Sequence, residues 1–274
     1  MISLGLVSAA PVASAQTKAA PSRSPVFDPV IAAQRLRDPA TAEIGFAMVQ
    51  SAGPAGKSIA PRIEEMLKLG LPPALAIQAM KALEGLGPLA NPGVVAPYVQ
   101  HRDANVRLVA AGALSHQRSA EGAAALRRGL RSSDKDLRAA CARGLGAAGD
   151  KEAIPDLQRA LARGVSEAAP SIAALCTGPS CDALVAQLDK VHPVLAKMSF
   201  ETLLRRPGPL ADDVLIAAVE KIRPIVGTDG RAYFSGQSKR FKGSVKVKRA
   251  LDSAAARAPK EQPAKPPVVK EAKR

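Results

Sequence analysis

A twelve-residue segment recurs 31 positions along the chain, and this repeat limits the possible folds more than any other feature of the sequence. Asp103–Leu114 reads DANVRLVAAGAL, and Asp134–Leu145 reads DKDLRAACARGL. The aspartate, the arginine four residues later, the small residues and the final leucine all return in register. Recurrence at a fixed interval of this size indicates an array of similar structural units, each packed on the next.

The recurring segment has the pattern of an amphipathic helix. In its first copy the apolar positions run from Val106 to Leu114 at i, i+4, i+7 and i+8, which places them on one helical face. Asp103 precedes that face, where a carboxylate can accept the free N–H groups of a first turn. The intervening apolar runs keep the same 31-residue spacing; they are Val94–Val99, Ala123–Leu130 and Ile154–Leu161. Each unit is therefore predicted to hold a first helix, a turn and a second helix.

An aspartate, two residues, a Val-Arg or Leu-Arg pair and an Ala-rich helix form a pattern that resembles the HEAT-like repeats first grouped with the phycobilisome lyases. The resemblance extends from Phe27 to Gly227 and is clearest in residues 94–149. It implies an all-α protein, an α-solenoid of about six helical hairpins. The predicted units are 27–52, 57–86, 93–117, 121–149, 152–177 and 181–206, followed by a helix at 210–223.

The chain begins with a short apolar run that ends in Ala13-Ser14-Ala15, a pattern typical of signal-peptide cleavage. We interpret residues 1–26 as a signal peptide and disordered leader, and the protein as exported to the periplasm, cell envelope or medium. An ordinary Ala-rich leader is the alternative. The run is too short to span a bilayer.

Beyond the repeats, residues 228–256 are predicted to form a cap on the last hairpin or a docking segment, and 257–274 a disordered tail rich in Lys, Pro and Ala. The net charge of the chain is +15, and Lys239–Arg274 holds 12 Lys and Arg against 3 Asp and Glu. Such an end suits nucleic acid, acidic glycans or a membrane surface, or is merely solvated. The candidate anion contacts are Lys239, Arg240, Lys242, Lys246, Lys248 and Arg249.

The chain has three cysteines. Cys176 and Cys181 flank the turn sequence Thr-Gly-Pro-Ser, so a disulfide between them is plausible in an exported protein. Two cysteines at this spacing can also begin a metal site, but no second Cys or His pair completes one. Cys141 lies within an Ala-rich helical pattern and is interpreted as a buried apolar residue.

Asp103, Arg107, Asp134 and Arg138 occupy two columns of the repeat. An arginine one turn inside a second helix can reach the neighbouring aspartate cap, so we predict a structural ladder that bridges repeats. A row of phosphate-binding arginines is the alternative interpretation.

Other motifs give no support for catalysis. Gly144–Gly149 spells G-x-G-x-x-G but closes an Ala-rich helix, whereas a dinucleotide site requires a preceding strand. Gly56-Lys57-Ser58 lacks the first glycine of a phosphate loop, because residue 51 is serine. No histidine has a partner at i+4. The sequence thus predicts a chain that is not an enzyme and holds no cofactor or metal.

The repeat favours a non-enzymatic scaffold that binds a protein partner on the concave surface of the solenoid, in the cell envelope or outside the cell. Binding of an anionic polymer through the basic tail is the alternative, although the absence of Trp weakens base stacking as its mechanism. A bilin lyase or isomerase activity is suggested only by the name of the repeat family.

Overall fold

The computed structural model describes residues 27–208 and 210–258. These residues form fourteen α-helices and no β-strand. The helices, α1 to α14, are Pro29–Arg35, Ala42–Ala52, Ala60–Leu69, Pro73–Gly85, Ala104–Ser115, Ala120–Gly129, Lys135–Ala148, Ile154–Ala162, Ala168–Leu175, Pro179–Val185, Pro193–Arg205, Asp212–Val226, Gly230–Arg240 and Val245–Arg257. The predicted signal peptide and the Lys/Pro/Ala-rich tail from residue 259 lie outside the described residues.

The helices stack in the order that the repeat predicts. The second helix of each unit packs on that of the next, so that α2 contacts α4, α4 contacts α5, α5 contacts α7, α7 contacts α9 and α9 contacts α11. We call these six helices the second-helix layer. Because no hairpin buries its apolar stripe alone, this stacking stabilises every unit. The prediction of an all-α solenoid is confirmed, and the run Ile44–Val49, which also allows a strand, lies within α2.

One apolar core extends along the whole array, from Ala32 of α1 to Ala254 of α14. It is built largely from Ala, Val and Leu, and the buried rings in its interior are Phe46, Phe200 and Phe234. Small side chains allow adjacent helices to approach closely, so the repeat needs few large residues. Each fully buried Leu contributes about 2 kcal/mol relative to an exposed one.

Aspartates begin several helices. The Oδ1 atom of Asp103 accepts hydrogen bonds from the backbone N–H groups of Asn105 and Val106 at 2.8 and 3.1 Å. Asp134 does the same for α7. These carboxylates satisfy donors that have no partner within the helix, and their charge favours the positive helix end.

The first element of the third unit differs from the prediction. Val94–Val99 was expected to form a helix, but the chain forms two 3₁₀ turns, Pro92–Val94 and Ala96–Gln100. Pro92 and Pro97 each lack the N–H that an α-helix requires, and a tight turn tolerates this better. The element still contacts α5 and α6, so the stack continues through it.

The helical array does not end at Gly227. Phe234 of α13 packs edge-on against Phe200 of α11, with 6.3 Å between the ring centroids. α14 lies against α12 and α13 and buries Val247, Leu251 and Ala254. Residues 228–256 are thus helical and packed on the preceding unit; whether they serve as a cap or as a docking segment stays a prediction. No helix in the described part of the chain has the length and apolarity that crossing a membrane requires.

A candidate binding face on the second-helix layer

The outer positions of α5, α7, α9 with its capping residue Glu167, and α11 form columns whose members are 31 residues apart. All twelve side chains are exposed or half-buried. The columns are Asn105, Asp136, Glu167 and Met198; then Leu108, Ala139, Pro170 and Glu201; then Gly112, Arg143, Ala174 and Arg205. We call this surface the second-helix face. Because these helices contact one another in sequence, the columns form a continuous strip across four units.

The strip varies in chemistry across its width. The first column is polar or acidic in three units and ends in the apolar Met198. The middle column is small or apolar in three units and ends in Glu201, and the third carries Arg143 and Arg205. On α11, Val194 and Met198 are exposed to 56% and 50%, which is unusual for large apolar side chains in this fold. Small residues at the centre leave the helix backbones accessible to a partner.

Two cavities open on this face. One, of about 400 Å³, lies between α9 and α11 and is lined by Ala174, Met198 and Arg205 among others. The other, of about 430 Å³, lies where α7, α9 and α11 meet. Its lining residues are Lys135, Asp136, Arg138, Ala139, Gly164, Val165, Ser166, Glu167, His192 and Leu195.

Of the residues predicted to form a ladder, Arg107 and Asp134 come together between α5 and α7. Nη2 of Arg107 donates to Oδ2 of Asp134 over 2.7 Å, and both side chains are only about one-fifth exposed. Nη1 of Arg107 donates to the carbonyls of His101 and Arg102, at 3.0 Å each. One guanidinium therefore ties its own loop to the cap of the following unit.

The same contacts shift the titration of the aspartate. The hydrogen bond from Arg107, followed by the backbone N–H groups of Leu137 and Asp136, lowers the pKa of Asp134 below its ordinary value. The Asp134 carboxylate therefore stays ionised at neutral pH, and its ion pair with Arg107 is intact there.

Arg138 occupies the equivalent position one unit later, but the ladder does not continue through it. Its Nη1 donates to the carbonyls of Ser132 and Ser133 at 2.9 and 2.8 Å, as Arg107 does in its own loop. The residue 31 positions after Asp134 is Val165, which is buried and carries no carboxylate.

A second ladder, which the sequence reasoning missed, lies among the first helices. Arg127 of α6 donates to both carboxylate oxygens of Asp150, through Nε at 2.9 Å and Nη2 at 2.8 Å. Asp150 also accepts from the N–H of Glu152 as the cap of the following turn. The signal that could have revealed this pair is the capping position of Asp150, directly after Gly149.

The structure joins Cys176 and Cys181, whose sulfur atoms are 2.11 Å apart. Nη1 of Arg206 lies 3.3 Å from the sulfur of Cys176 and donates to the carbonyl of Ala173 at 3.2 Å. The bridge thus lies in the interior, beside the end of α11. Cys141 is a free, buried thiol, and burial raises its pKa to about 12.

The six candidate anion contacts lie at the end of α13, in the following loop and on α14, and all six are exposed. Arg240 donates through Nε to the carbonyl of Gly236, within its own helix. Among residues 27–208 and 210–258, no three His, Cys, Asp or Glu side chains gather as a metal site.

Comparison with known proteins identifies the repeats. A family model described as HEAT repeats matches residues 91–176, as the resemblance in the sequence implied. A solved structure, the complex of CpcE and CpcF of phycocyanin lyase from Nostoc sp. PCC7120, matches with a TM-score of 0.49 and 17% identity. The match covers 87% of this chain and 98% of the other. No curated protein matches.

This comparison contradicts one sequence-based prediction. We expected a chain that is not an enzyme, and the similar solved structure is a phycocyanin lyase complex. The prediction was wrong because it rested on the absence of familiar motifs such as a strand-borne G-x-G-x-x-G.

Proposed function

Because residues 91–176 carry HEAT repeats and the described chain is an α-solenoid, we propose that the protein is a scaffold that binds a protein partner on its second-helix face. The observation that carries the proposal is the continuous strip of three columns across α5, α7, α9 and α11. Repeat proteins use such extended surfaces for extended partners.

The chemistry of the strip indicates what kind of segment fits. Small residues such as Ala139 and Ala174 allow a partner backbone to approach, and the exposed side chains of Val194 and Met198 offer apolar anchors at one end. Acidic residues along one edge and arginines along the other favour one orientation of a charged segment.

Site-specific photo-crosslinking tests the proposal. A photoreactive phenylalanine analogue placed at Ala139 or Ala174 should give a discrete adduct in cells that express the protein. Ala124, which is half-buried like Ala139 but lines a groove between first elements, is the matched control. The M198D variant should weaken the adduct formed from Ala174. Adducts from Ala124 alone, or none from the second-helix face, would contradict the proposal.

A second candidate function is binding of an anionic polymer at the C-terminal end of the array. Residues 230–258 hold eight Lys and Arg against one acidic residue, Asp252. The structure presents Lys246, Lys248 and Arg249 together on the exposed surface of α14. This placement supports the candidate, because like charges on one surface attract a polyanion.

Anisotropy measurements with labelled heparin and polyuridylate test this second candidate. Binding should weaken steeply as salt rises, since polyanion binding releases counterions. The K246Q/K248Q/R249Q variant should reduce the affinity and the salt dependence. K57Q/K68Q/K81Q removes the same charge from exposed positions elsewhere and should change little. Equal losses in the two variants would indicate a general charge effect and no site.

We also propose that the protein functions in an oxidising compartment, the cell envelope or the extracellular space. The bridge between Cys176 and Cys181 supports this, because disulfides persist mainly outside the reducing cytoplasm. Fractionation of cells and mass spectrometry of the mature N-terminus test it; a reduced protein in the cytoplasmic fraction would count against it.

A further inference from the structure

The guanidinium of Arg107 finds acceptors in two units through its two Nη atoms, although its buried Nε has no hydrogen-bond partner. Nη1 binds two carbonyls of the loop before α5, and Nη2 binds the carboxylate of Asp134 in the next unit. This arrangement shows what an arginine in this column binds when the following unit provides an aspartate.

Arg138 has the first part of that set and lacks the second. Its Nη1 binds the carbonyls of Ser132 and Ser133, which fixes the guanidinium in the same orientation relative to its helix. Val165 stands where Asp134 would recur, and within residues 27–208 and 210–258 no carboxylate lies within 4.0 Å of Arg138. The outer edge of the guanidinium therefore has no carboxylate from this part of the chain.

A cavity lies at this position. Arg138 lines the space of about 430 Å³ between α7, α9 and α11, together with Val165 and Ser166. At Arg107 the equivalent direction is occupied by the following aspartate cap. The open ladder and the cavity are thus two independent observations at one place.

We propose that Arg138 binds a carboxylate of the protein partner, in the way that Arg107 binds Asp134. The partner group would accept from the outer edge of the guanidinium, and Ser166 in the same cavity could donate to it. A planar guanidinium with two of its donors already fixed loses little freedom on binding, which suits recognition of a carboxylate. The inference rests on the proposed function, since Arg138 lies at the edge of the second-helix face.

The other charges in the cavity restrict the ligand further. Lys135 lies on the same side of the protein, but Asp136 and Glu167 also line the cavity. The site is therefore not a general basic patch. It favours a single carboxylate in a segment that is otherwise neutral or basic, and it disfavours a strongly acidic stretch.

Arginine side-chain NMR tests the site with short peptides. Acetyl-Ala-Ala-Glu-Ala-Ala-amide carries one side-chain carboxylate, and acetyl-pentaalanine carries one C-terminal carboxylate. Acetyl-Ala-Ala-Gln-Ala-Ala-amide carries neither. We expect a saturable shift of the Arg138 Nε–Hε resonance at millimolar concentrations of a carboxylate peptide, and no shift with the Gln peptide. Binding of the Glu peptide would indicate that the site recognises an acidic side chain. Binding of acetyl-pentaalanine would indicate that it recognises a chain terminus.

Arg107 is the internal control, because Asp134 already fills its site. Its resonance should stay unchanged in the wild type. In D134S, where serine can still cap α7, Arg107 should acquire a saturable shift of its own. R138K removes the guanidinium and retains the charge, and the backbone amide of Ser166 should then no longer respond to the peptides.

Equal responses of Arg107 and Arg138 in the wild type, a response to the Gln peptide, or no response at Arg138 would each overturn the inference. The result is independent of the crosslinking at Ala139 and Ala174. Crosslinks without an Arg138 response would support the proposed scaffold function and refute the carboxylate site. An Arg138 response without crosslinks would support the carboxylate site and contradict the proposed scaffold.

Discussion

Gly146 of α7 lies so close to Ser171 of α9 that a methyl group on Gly146 would be 3.0 Å from the Cα atom of Ser171. Ser171 is buried, and its hydroxyl donates to the carbonyl of Ala142 at 2.8 Å. The two helices thus approach at a glycine and are linked by a hydrogen bond one turn away. The contact joins two consecutive units of the stack.

Substitution of Gly146 by alanine should therefore destabilise the protein, although alanine is the better helix former. Relief of the overlap requires a backbone shift in α9, and we expect a loss of about 1–3 kcal/mol. Gly112 in α5 is the matched control, because nothing lies within 4 Å of an added methyl group there. G112A should gain about 0.5–1 kcal/mol. Urea unfolding of both variants measures the difference; a stabilised G146A would show that the helices can separate freely.

Loss of the Asp103 cap should destabilise α5. D103A leaves the N–H groups of Asn105 and Val106 without their acceptor, at an expected cost of about 1 kcal/mol. D103S keeps an acceptor at the same position and should recover most of the loss. Thermal unfolding of the three proteins checks this, and equal destabilisation by Ala and Ser would contradict capping as the reason.

The ladder should make stability depend on acid. Because Arg107 lowers the pKa of Asp134 in the folded state, the ladder contributes its stability at pH values above the unfolded pKa of about 3.9. That contribution is lost as the pH falls through the folded pKa. Wild type and D134S should thus differ most near neutrality and converge in acid.

Urea unfolding between pH 7 and pH 3 measures this convergence. D136S is the control, because it removes a carboxylate from the same helical turn without affecting a partner of Arg107. A constant difference between wild type and D134S across this range would show that the carboxylate does not act through its charge.

The sequence predicted the stack because the stack follows from periodic positions. The 31-residue spacing located α5 and α7, and the aspartate and arginine columns contain Arg107 and Asp134, which the structure pairs. The same reasoning implied that the ladder continues at Arg138; it stops there because one side chain, Val165, replaces the acid. The arginine column alone shows that an arginine recurs. Only the aspartate column shows whether the following unit provides the carboxylate that the arginine binds.

Non-periodic features were harder to predict. Glycine commonly ends helices, but Gly146 lies inside α7 and permits the approach of α9. Gly149 is the residue that ends the helix, with a φ of 76°. Only the position of the neighbouring helix distinguishes these two roles. The columns of the second-helix face likewise become a surface only when the contacts between units are known.

The three cysteines should differ sharply in reactivity. The bridge leaves Cys176 and Cys181 without free thiols, and burial raises the pKa of Cys141 to about 12, so its reactive thiolate is scarce at neutral pH. Iodoacetamide should add no group to the folded, unreduced protein, one group after unfolding in urea, and three after unfolding with reduction. Intact-mass spectrometry counts the added groups.

Three adducts on the unfolded but unreduced protein would show that Cys176 and Cys181 are not joined. That result would also remove the support that the bridge gives to an oxidising compartment. An adduct on the folded protein would instead show that α7 opens at Cys141, since the thiol is buried in the core.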